Sequence, residues 1–324
     1  MIRRLVLHIG RHKTGTSAIQ RYLAEHRAAY AEAGVIVPEF GGFEEDDADP
    51  ADRVAHHRIA LDCGAGTEPD PAARAKWREA LTAAAEGGDT LVLSSEVFQN
   101  VTNFALLREL TRDFYVEVVC YLREYLDYAL SSYAQDVKKV GVLTGFFEYE
   151  RRFNPQLRQF VARWSEFANR CHWRLYERGR FEGGDVVRDF LKTAGLPDFG
   201  GSRFQEVNPR IGGSLLGFKL IANGSGLHST QLARALEPLA SSRPEFRMPW
   251  RLDPRQQEAL RARRDYNAIL RRQVGDFGMV DVSTGALPFN SPTFAADMGE
   301  ILAALDTFPK LRANPLLAQF VPGN

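Results

Sequence analysis

A short run of basic and hydroxylated residues near the amino terminus has the composition of an anion-binding loop. Its sequence is GRHKTGTS, in which basic side chains come first and residues suited to the start of a helix follow. Backbone N–H groups at a helix start, with the positive end of the helix dipole behind them, bind phosphate or sulfate. The plainer alternative is an ordinary turn whose basic residues are solvated. The candidate contacts are Arg11, His12, Lys13, Thr14, Gly15, Thr16 and Ser17.

The elements around this run predict where it lies in the fold. Leu5 to Ile9 is apolar apart from His8, which favours a buried central strand, and Gly10 ends it. Helical spacing of apolar residues predicts a helix from 18 to 33, and residues 35 to 37 form a short strand before Pro38. The segment is therefore a β-α-β unit with a right-handed crossover. Its loop lies at the carboxyl edge of a parallel sheet, where ligands bind in such folds.

A carboxylate and two histidines are further candidates for proton transfer. Residues 90 to 93 form a strand that continues into Ser94, Ser95 and Glu96, which places Glu96 on the edge that carries the loop. Glu96 could act as a general base, or it could cap the following turn or pair with an arginine. His56 and His57 lie in a short helical segment, where neighbours point in different directions, so at most one would face a site. Residues 41 to 53 are acidic and rich in Gly and Pro, which predicts an exposed loop.

An arginine and a serine follow the most apolar strand of the chain. Residues 115 to 122 form this strand, Arg123 stands at its end, and a helix follows. Asp127 and Ser131 come after Arg123 at four-residue steps, so the three would share one stripe if the helix began near Arg123. A guanidinium gives phosphate planar, forked donors, and a hydroxyl adds one more. We expect Arg123 and Ser131 to converge on one anion.

A second helix start with a neighbouring arginine occurs later in the chain. In NPRIGGS, Gly212, Gly213 and Ser214 open a helix, and Arg210 lies just before them. Arg210 and Ser214 are therefore candidate phosphate contacts.

The order of residues in the first loop separates two kinds of phosphate loop. A Walker A loop places its lysine directly before the Ser or Thr that holds magnesium, whereas Lys13 here precedes Gly15. The order GxxKTGTS resembles the 5′-phosphosulfate loop of sulfotransferases that use 3′-phosphoadenosine 5′-phosphosulfate (PAPS), especially bacterial and Golgi-type members with KTGT. Those enzymes also carry an arginine at the end of a later strand and a serine eight residues on, a pair that grips the 3′-phosphate. Arg123 and Ser131 match that pair.

The resemblance implies a fold and an activity. The implied fold is α/β, a three-layer sandwich like that of P-loop NTPases, with a central, mostly parallel sheet and a helical C-terminal extension. One sulfotransferase domain would span 1–324, with a nucleotide-binding core over 1–200 and a nucleotide-closing loop and helical region over 201–324. The implied reaction moves the sulfuryl group of PAPS in line to a hydroxyl or amine, with no metal required and 3′-phosphoadenosine 5′-phosphate (PAP) as product.

The resemblance also implies roles for individual residues. Lys13 would stabilise the leaving phosphate. Cytosolic members end the strand that precedes Glu96 in Thr-His and use the histidine as base, whereas this chain has Ser95 and Glu96. Arg210 and Ser214 correspond to a late loop over the 3′-phosphate, although the RKGxxGxxK form of cytosolic enzymes is absent.

Composition restricts the partners. The chain of 324 residues carries 41 basic and 41 acidic residues, and this zero net charge gives no support to a nucleic-acid partner. Three widely spaced cysteines form no metal-ligand pattern, and no apolar run has the length of a bilayer span, so we expect a cytoplasmic protein. The acceptor is an unidentified small molecule, carbohydrate or lipid. The alternatives are a nucleotide or small-molecule kinase that uses magnesium and ATP, and a non-catalytic module that binds PAPS or PAP.

Overall fold

The computed structural model describes residues 3–11, 13–42, 54–64, 71–201 and 209–321. His12 and most of the predicted acidic loop 41–53 lie outside these ranges. The chain divides into two compact units, the first formed by residues 1–123, 156–207 and 269–276, the second by 124–155, 208–268 and 277–324. The loop, Glu96, the histidine pair and Arg123 belong to the first unit, and Ser131, Arg210 and Ser214 belong to the second.

A five-stranded sheet forms the centre of the first unit. Its strands are β1 (Arg3–Ile9), β2 (Val35–Ile36), β3 (Thr90–Ser95), β4 (Phe114–Leu122) and β5 (Arg170–Leu175). The strand order is β2-β3-β1-β4-β5, and every pairing between them is parallel. The predicted α/β fold with a parallel central sheet is therefore confirmed. Because β1 lies in the middle, the loop after it opens between the ends of β3 and β4.

Helices cover both faces of the sheet. The helices are α1 (Thr16–Glu25), α2 (Arg27–Glu32), α3 (His57–Asp62), α4 (Pro71–Glu86), α5 (Phe104–Thr111), α8 (Leu157–Phe167) and α9 (Val186–Ala194). Helices α1, α2 and α9 pack on the face that carries Val6, Val92 and Val119. On the other face the rings of Phe104 and Trp164, from α5 and α8, lie 5.0 Å apart. Successive side chains of a strand point to opposite faces, so the near-continuous apolar runs of β1 and β4 supply both layers.

The second unit is helical. It contains α6 (Tyr125–Lys139), α7 (Phe146–Arg152), α10 (Gly213–Gly224), α11 (Thr230–Ser242), α12 (Pro254–Ala262), α14 (Phe294–Ala304), α15 (Pro309–Arg312) and α16 (Pro315–Ala318). Helix α13 (Tyr266–Val274) begins in this unit and ends in the first. The buried faces of α6 and α10 share one apolar core. The carboxylate of Glu124 caps α6 by accepting the N–H groups of Leu126 at 2.9 Å and Asp127 at 3.1 Å.

Two helices predicted as continuous are each divided in the structure. The predicted helix from 18 to 33 breaks at His26, whose ring nitrogen Nδ1 bonds to the carbonyl of Tyr22 at 3.0 Å. The basic, amphipathic sequence of residues 254 to 273 also predicts one helix, which the structure divides into α12 and α13. Near this break Arg263 donates to the buried Glu150 carboxylate at 2.8 Å. The spacing of apolar residues predicts which face of a segment is buried, but it does not report such interruptions.

Candidate functional site

The loop after β1 is a tight turn that ends in the first turn of α1. Lys13 and Gly15 both adopt left-handed backbone conformations, with φ of 65° and 77°. The Thr14 hydroxyl donates to the carbonyl of Arg11 at 2.6 Å, which closes the turn on itself. Gly15 is the N-cap residue of α1, and as a glycine it has no side chain with which to cap the helix. The N–H groups at the start of α1 therefore remain suited to an anion.

Gly10 allows the helix start to pack closely against the end of β3. A Cβ placed on Gly10 would lie 2.0 Å from Cγ2 of Thr16 and 3.1 Å from Cβ of Glu96. Neither distance is compatible with an undisturbed side chain. Because Gly10 has no Cβ, Thr16 and Glu96 can both approach its backbone closely. The loop and the candidate base are thus parts of one packed arrangement.

Arg123 fixes the backbone of the loop from the neighbouring strand. It follows β4, and its Nε donates to the carbonyl of Lys13 at 2.7 Å, with Nη2 donating to the same oxygen. The guanidinium also lies over the ring of Tyr176, 4.3 Å from the centroid. Tyr176 follows β5 and lies beside Gly15, so the ring supports both the arginine and the turn. The structure therefore places Arg123 against the loop that carries Lys13.

Arg11 is the second loop cation whose surroundings are defined. It is buried, and its guanidinium lies 4.7 Å from the centroid of the Phe160 ring on α8. A cation over an aromatic face is attracted by the ring quadrupole. Lys13, by contrast, is partly exposed. Of the two, Lys13 is the more accessible to a ligand.

Glu96 lies beside the loop, as its position after β3 predicts. It begins a short 3-10 helix, Glu96–Asn100, which Ser95 caps by accepting the N–H of Val97 at 3.0 Å. Ser95, and not Glu96, thus performs the capping role that was the plainer alternative for Glu96. Oε2 of Glu96 accepts a hydrogen bond from Nε2 of Gln20 on α1 at 3.1 Å.

His56 and His57 lie behind the end of β3, and a third histidine joins them. Nδ1 of His56 accepts the N–H of Ser94 at 3.0 Å, and Nδ1 of His57 lies 2.7 Å from the Ser95 hydroxyl. His8 on β1 contacts the Ser94 hydroxyl through Nδ1 at 2.8 Å. All three side chains are buried. They form a polar layer under the site.

Burial keeps two of these histidines neutral. It lowers the pKa of His56 to about 4 and that of His8 to about 3. In both, removal of the charged ring from water is the largest cause. For His56, hydrogen bonds to backbone groups oppose the shift in pKa without cancelling it. Both rings form a hydrogen bond with Ser94, which indicates that they support the end of β3.

Ser131 and Asp127 occupy the second unit. Helix α6 begins at Tyr125, so Arg123 precedes the helix. Of the three residues expected to share one stripe of this helix, only Asp127 and Ser131 lie on it. Ser131 is 3% exposed. The carboxylate of Asp127 lies 4.0 Å from the Arg210 guanidinium. The predicted pairing of Arg123 with Ser131 stays a prediction from the sequence.

The start of α10 already has protein partners. The N–H groups of Gly212 and Gly213 donate to the carbonyls of Phe246 at 2.6 Å and Met248 at 3.0 Å. The Ser214 hydroxyl donates to the carboxylate of Asp297 at 2.6 Å. A phosphate at this helix start would have to displace these bonds. The phosphate-binding role of Arg210 and Ser214 stays a prediction.

Sequence reasoning overlooked Gln20 and Tyr176 as members of this site. Tyr176 carried a usable signal, because it follows a predicted strand and so shares the carboxyl edge with the loop. Gln20 carried none, since one glutamine in an amphipathic helix is ordinary. His8 was visible as the one polar residue in an apolar strand.

Within the described ranges, no group of three or more His, Cys, Asp or Glu residues is placed to hold a metal ion. No helix in the described part of the chain is long and apolar enough to cross a membrane.

Comparisons with known proteins give one distant structural similarity. No protein-family model matches the sequence, and no curated protein matches it. A crystal structure of a sulfotransferase from Alicyclobacillus acidocaldarius is similar to 72% of this chain and to 100% of its own chain, with 16% sequence identity and a TM-score of 0.37. These values describe a distant likeness of the two backbones.

Proposed function

We propose that this protein is a sulfotransferase that moves the sulfuryl group of PAPS to a hydroxyl or amine of an acceptor. The observation that carries the proposal is the start of α1, which has glycine as its N-cap residue and follows the central strand of a parallel sheet, with Lys13 in the turn before it. The position of Lys13 before Gly15 fits a phosphosulfate loop and departs from Walker A. We interpret residues 1–324 as one sulfotransferase domain.

The loop would bind the 5′-phosphosulfate through its backbone. The Thr14 hydroxyl already donates to Arg11, so Thr14 would contribute its N–H group. Gly15, Thr16 and Ser17 would add the N–H groups of the helix start, where the dipole favours an anion. The lysine ammonium would balance the charge of the phosphate. His12 keeps its predicted role in binding the cofactor.

The transfer step needs a base and a stabilised leaving group. The acceptor oxygen attacks sulfur as the bond from sulfur to the bridging oxygen breaks, and the bonding electron pair stays on the 5′-phosphate of PAP. Lys13 would stabilise that oxygen, and loss of such a contact costs about 2.7–4 kcal/mol of barrier. Glu96 would accept the acceptor proton. We favour Glu96 over His56 because Nδ1 of His56 is occupied by the Ser94 N–H. His57 remains a weaker candidate because Nδ1 contacts Ser95.

The 3′-phosphate would be held by Arg123 and Ser131, which the sequence resemblance supports. Arg123 would then serve two purposes, since it already donates to the Lys13 carbonyl. Arg210 and Ser214 are further candidates from the same resemblance. The acceptor is a small molecule, carbohydrate or lipid.

Transfer of label from ³⁵S-PAPS tests the proposal directly. Purified protein should transfer ³⁵S to an acceptor from a mixed panel, or release it slowly to water, and Lys13→Ala should reduce the rate. Lys310→Ala, which removes an exposed lysine from α15, is the control and should keep the wild-type rate. Equal rates for the Lys13→Ala and wild-type proteins would contradict the proposed role of Lys13. No release or transfer by wild type across the panel would contradict the proposed function.

A further inference from the structure

Gln20 is a buried amide that donates a side-chain hydrogen bond to the candidate base. It lies on the first turns of α1 with 2% of its surface exposed. Its Nε2 donates to Oε2 of Glu96 at 3.1 Å. Among the residues that the structure describes, none donates to its buried Oε1. The bond to the carboxylate also fixes the orientation of the amide, because the opposite orientation would place two acceptor oxygens together.

This arrangement does not favour folding. A buried carbonyl oxygen without a donor is unfavourable, and an apolar side chain of similar shape would remove that penalty. Glu96 is partly exposed, so water could replace the donor that it would lose. Local features that oppose stability concentrate at functional sites. The amide is therefore better explained by what it does to Glu96 than by packing.

The neighbouring contacts hold Glu96 from a second direction. Ser95 caps the 3-10 helix that Glu96 begins, and His57 contacts the same Ser95 hydroxyl at 2.7 Å. Gly10 lets the Glu96 backbone lie against the loop. The backbone of Glu96 is thus fixed by Ser95 and Gly10, and its side chain by Gln20. One carboxylate oxygen, Oε2, is engaged by the amide.

We propose that Gln20 is a positioning residue, which holds the Glu96 carboxylate in the orientation that accepts the acceptor proton. The inference rests on the proposed function. A base is effective only when its oxygen lies within hydrogen-bond reach of the proton, and a displacement of about 1 Å can cost 10²-fold in rate. Gln20 acts through Glu96 and need not touch substrate.

Substitution of Gln20 by a similar apolar side chain separates this role from a structural one. Gln20→Met should lower kcat by between about 10-fold and 10²-fold, with the KM for PAPS and the affinity for PAP unchanged. Its melting temperature should be retained or raised. Gln257→Met is the contrasting control, because Gln257 is buried but donates to Leu252 at 3.0 Å and Asp281 at 2.9 Å. This control should lower the melting temperature and leave kcat unchanged.

Gln20→Glu gives a second readout that a structural role would not move. Two neighbouring carboxylates repel each other, so the new carboxyl group disfavours the ionised form of Glu96. The acid limb of the pH–rate profile should therefore move to higher pH. An unchanged kcat in Gln20→Met with an active wild-type protein, or an unchanged pH profile in Gln20→Glu, would overturn the role of Gln20 alone. A wild-type protein that neither binds PAP nor transfers sulfuryl would overturn the proposed function, and this role with it.

Discussion

Replacement of Gly10 by alanine tests whether close packing at one glycine shapes the loop. The new Cβ would lie 2.0 Å from Cγ2 of Thr16, the first residue of α1. Carbon atoms in contact normally lie about 3.5–4.0 Å apart, so the methyl group would have to move by roughly 1.5 Å. Thr16 carries one of the N–H groups proposed to bind the phosphosulfate. The substitution should therefore damage both stability and ligand binding.

The expected magnitude follows from the overlap. Overpacking of this kind costs about 1–3 kcal/mol of unfolding free energy. A shift of about 1 Å in a binding group can cost on the order of 10²-fold in kcat/KM. Urea denaturation followed by circular dichroism measures the first quantity, and calorimetric titration with PAP reports on the loop independently of the acceptor. Gly179→Ala is the matched control, because a Cβ there meets nothing within 4 Å.

Thr16→Ser supplies a rescue that identifies the cause. Serine keeps the hydroxyl and removes Cγ2, the atom that the new methyl group would strike. Of the three closest contacts, the double variant would retain those of 3.1 Å and 3.2 Å with Glu96, which small movements can relieve. It should recover at least about 1 kcal/mol of unfolding free energy relative to the additive expectation. Stability of Gly10→Ala equal to that of Gly179→Ala, or no recovery on adding Thr16→Ser, would refute this account of the loop.

Three further predictions follow from the same site. Lys13→Ala should lower kcat by about 10²–10³-fold, and Lys13→Arg should lower it less. Single-turnover rates with PAPS measure this effect. Equal rates for the wild-type protein and both variants would contradict the prediction. Glu96→Gln should lower kcat by about 10²–10⁴-fold and leave the affinity for PAP unchanged. Steady-state kinetics measures the first quantity and calorimetry the second. An unchanged kcat would show that Glu96 is not the base. Burial lowers the pKa of His8 to about 3 and that of His56 to about 4. These histidines therefore bind protons more readily in the unfolded chain than in the folded one. The free energy of unfolding should fall as the pH drops below about 6.5. His8→Leu should reduce that slope by up to about 1.4 kcal/mol per pH unit in urea titrations, and an identical slope would contradict the buried neutral state.

Much of the fold follows from local sequence signals. The apolar run before Gly10 and the small residues after it predict a strand, a turn and a helix, and the structure has β1, the turn and α1 there. The position of Glu96 beside the loop follows from the rule that parallel strands share a carboxyl edge. These inferences succeed because the spacing of apolar residues and the identity of turn residues determine local structure over only a few positions of the chain.

The side-chain contacts of the site depend on distant parts of the chain. The Gln20 amide meets a carboxylate 76 positions later, and Arg123 meets a carbonyl 110 positions earlier. No local pattern around Gln20 distinguishes it from a solvated glutamine on a helix. Sequence therefore predicted the edge of the sheet that carries the site, but not which neighbours orient its groups.

Calorimetric titration with PAP and with magnesium and ATP, on the same wild-type protein, tests the central claim most directly. The loop order with Lys13 before Gly15 predicts that PAP binds in the presence of a chelator, and that magnesium and ATP bind far more weakly. Lys13→Ala should weaken the binding of PAP, whereas Lys310→Ala should leave it unchanged. Tight binding of magnesium and ATP together with no binding of PAP would contradict the assignment and favour a kinase.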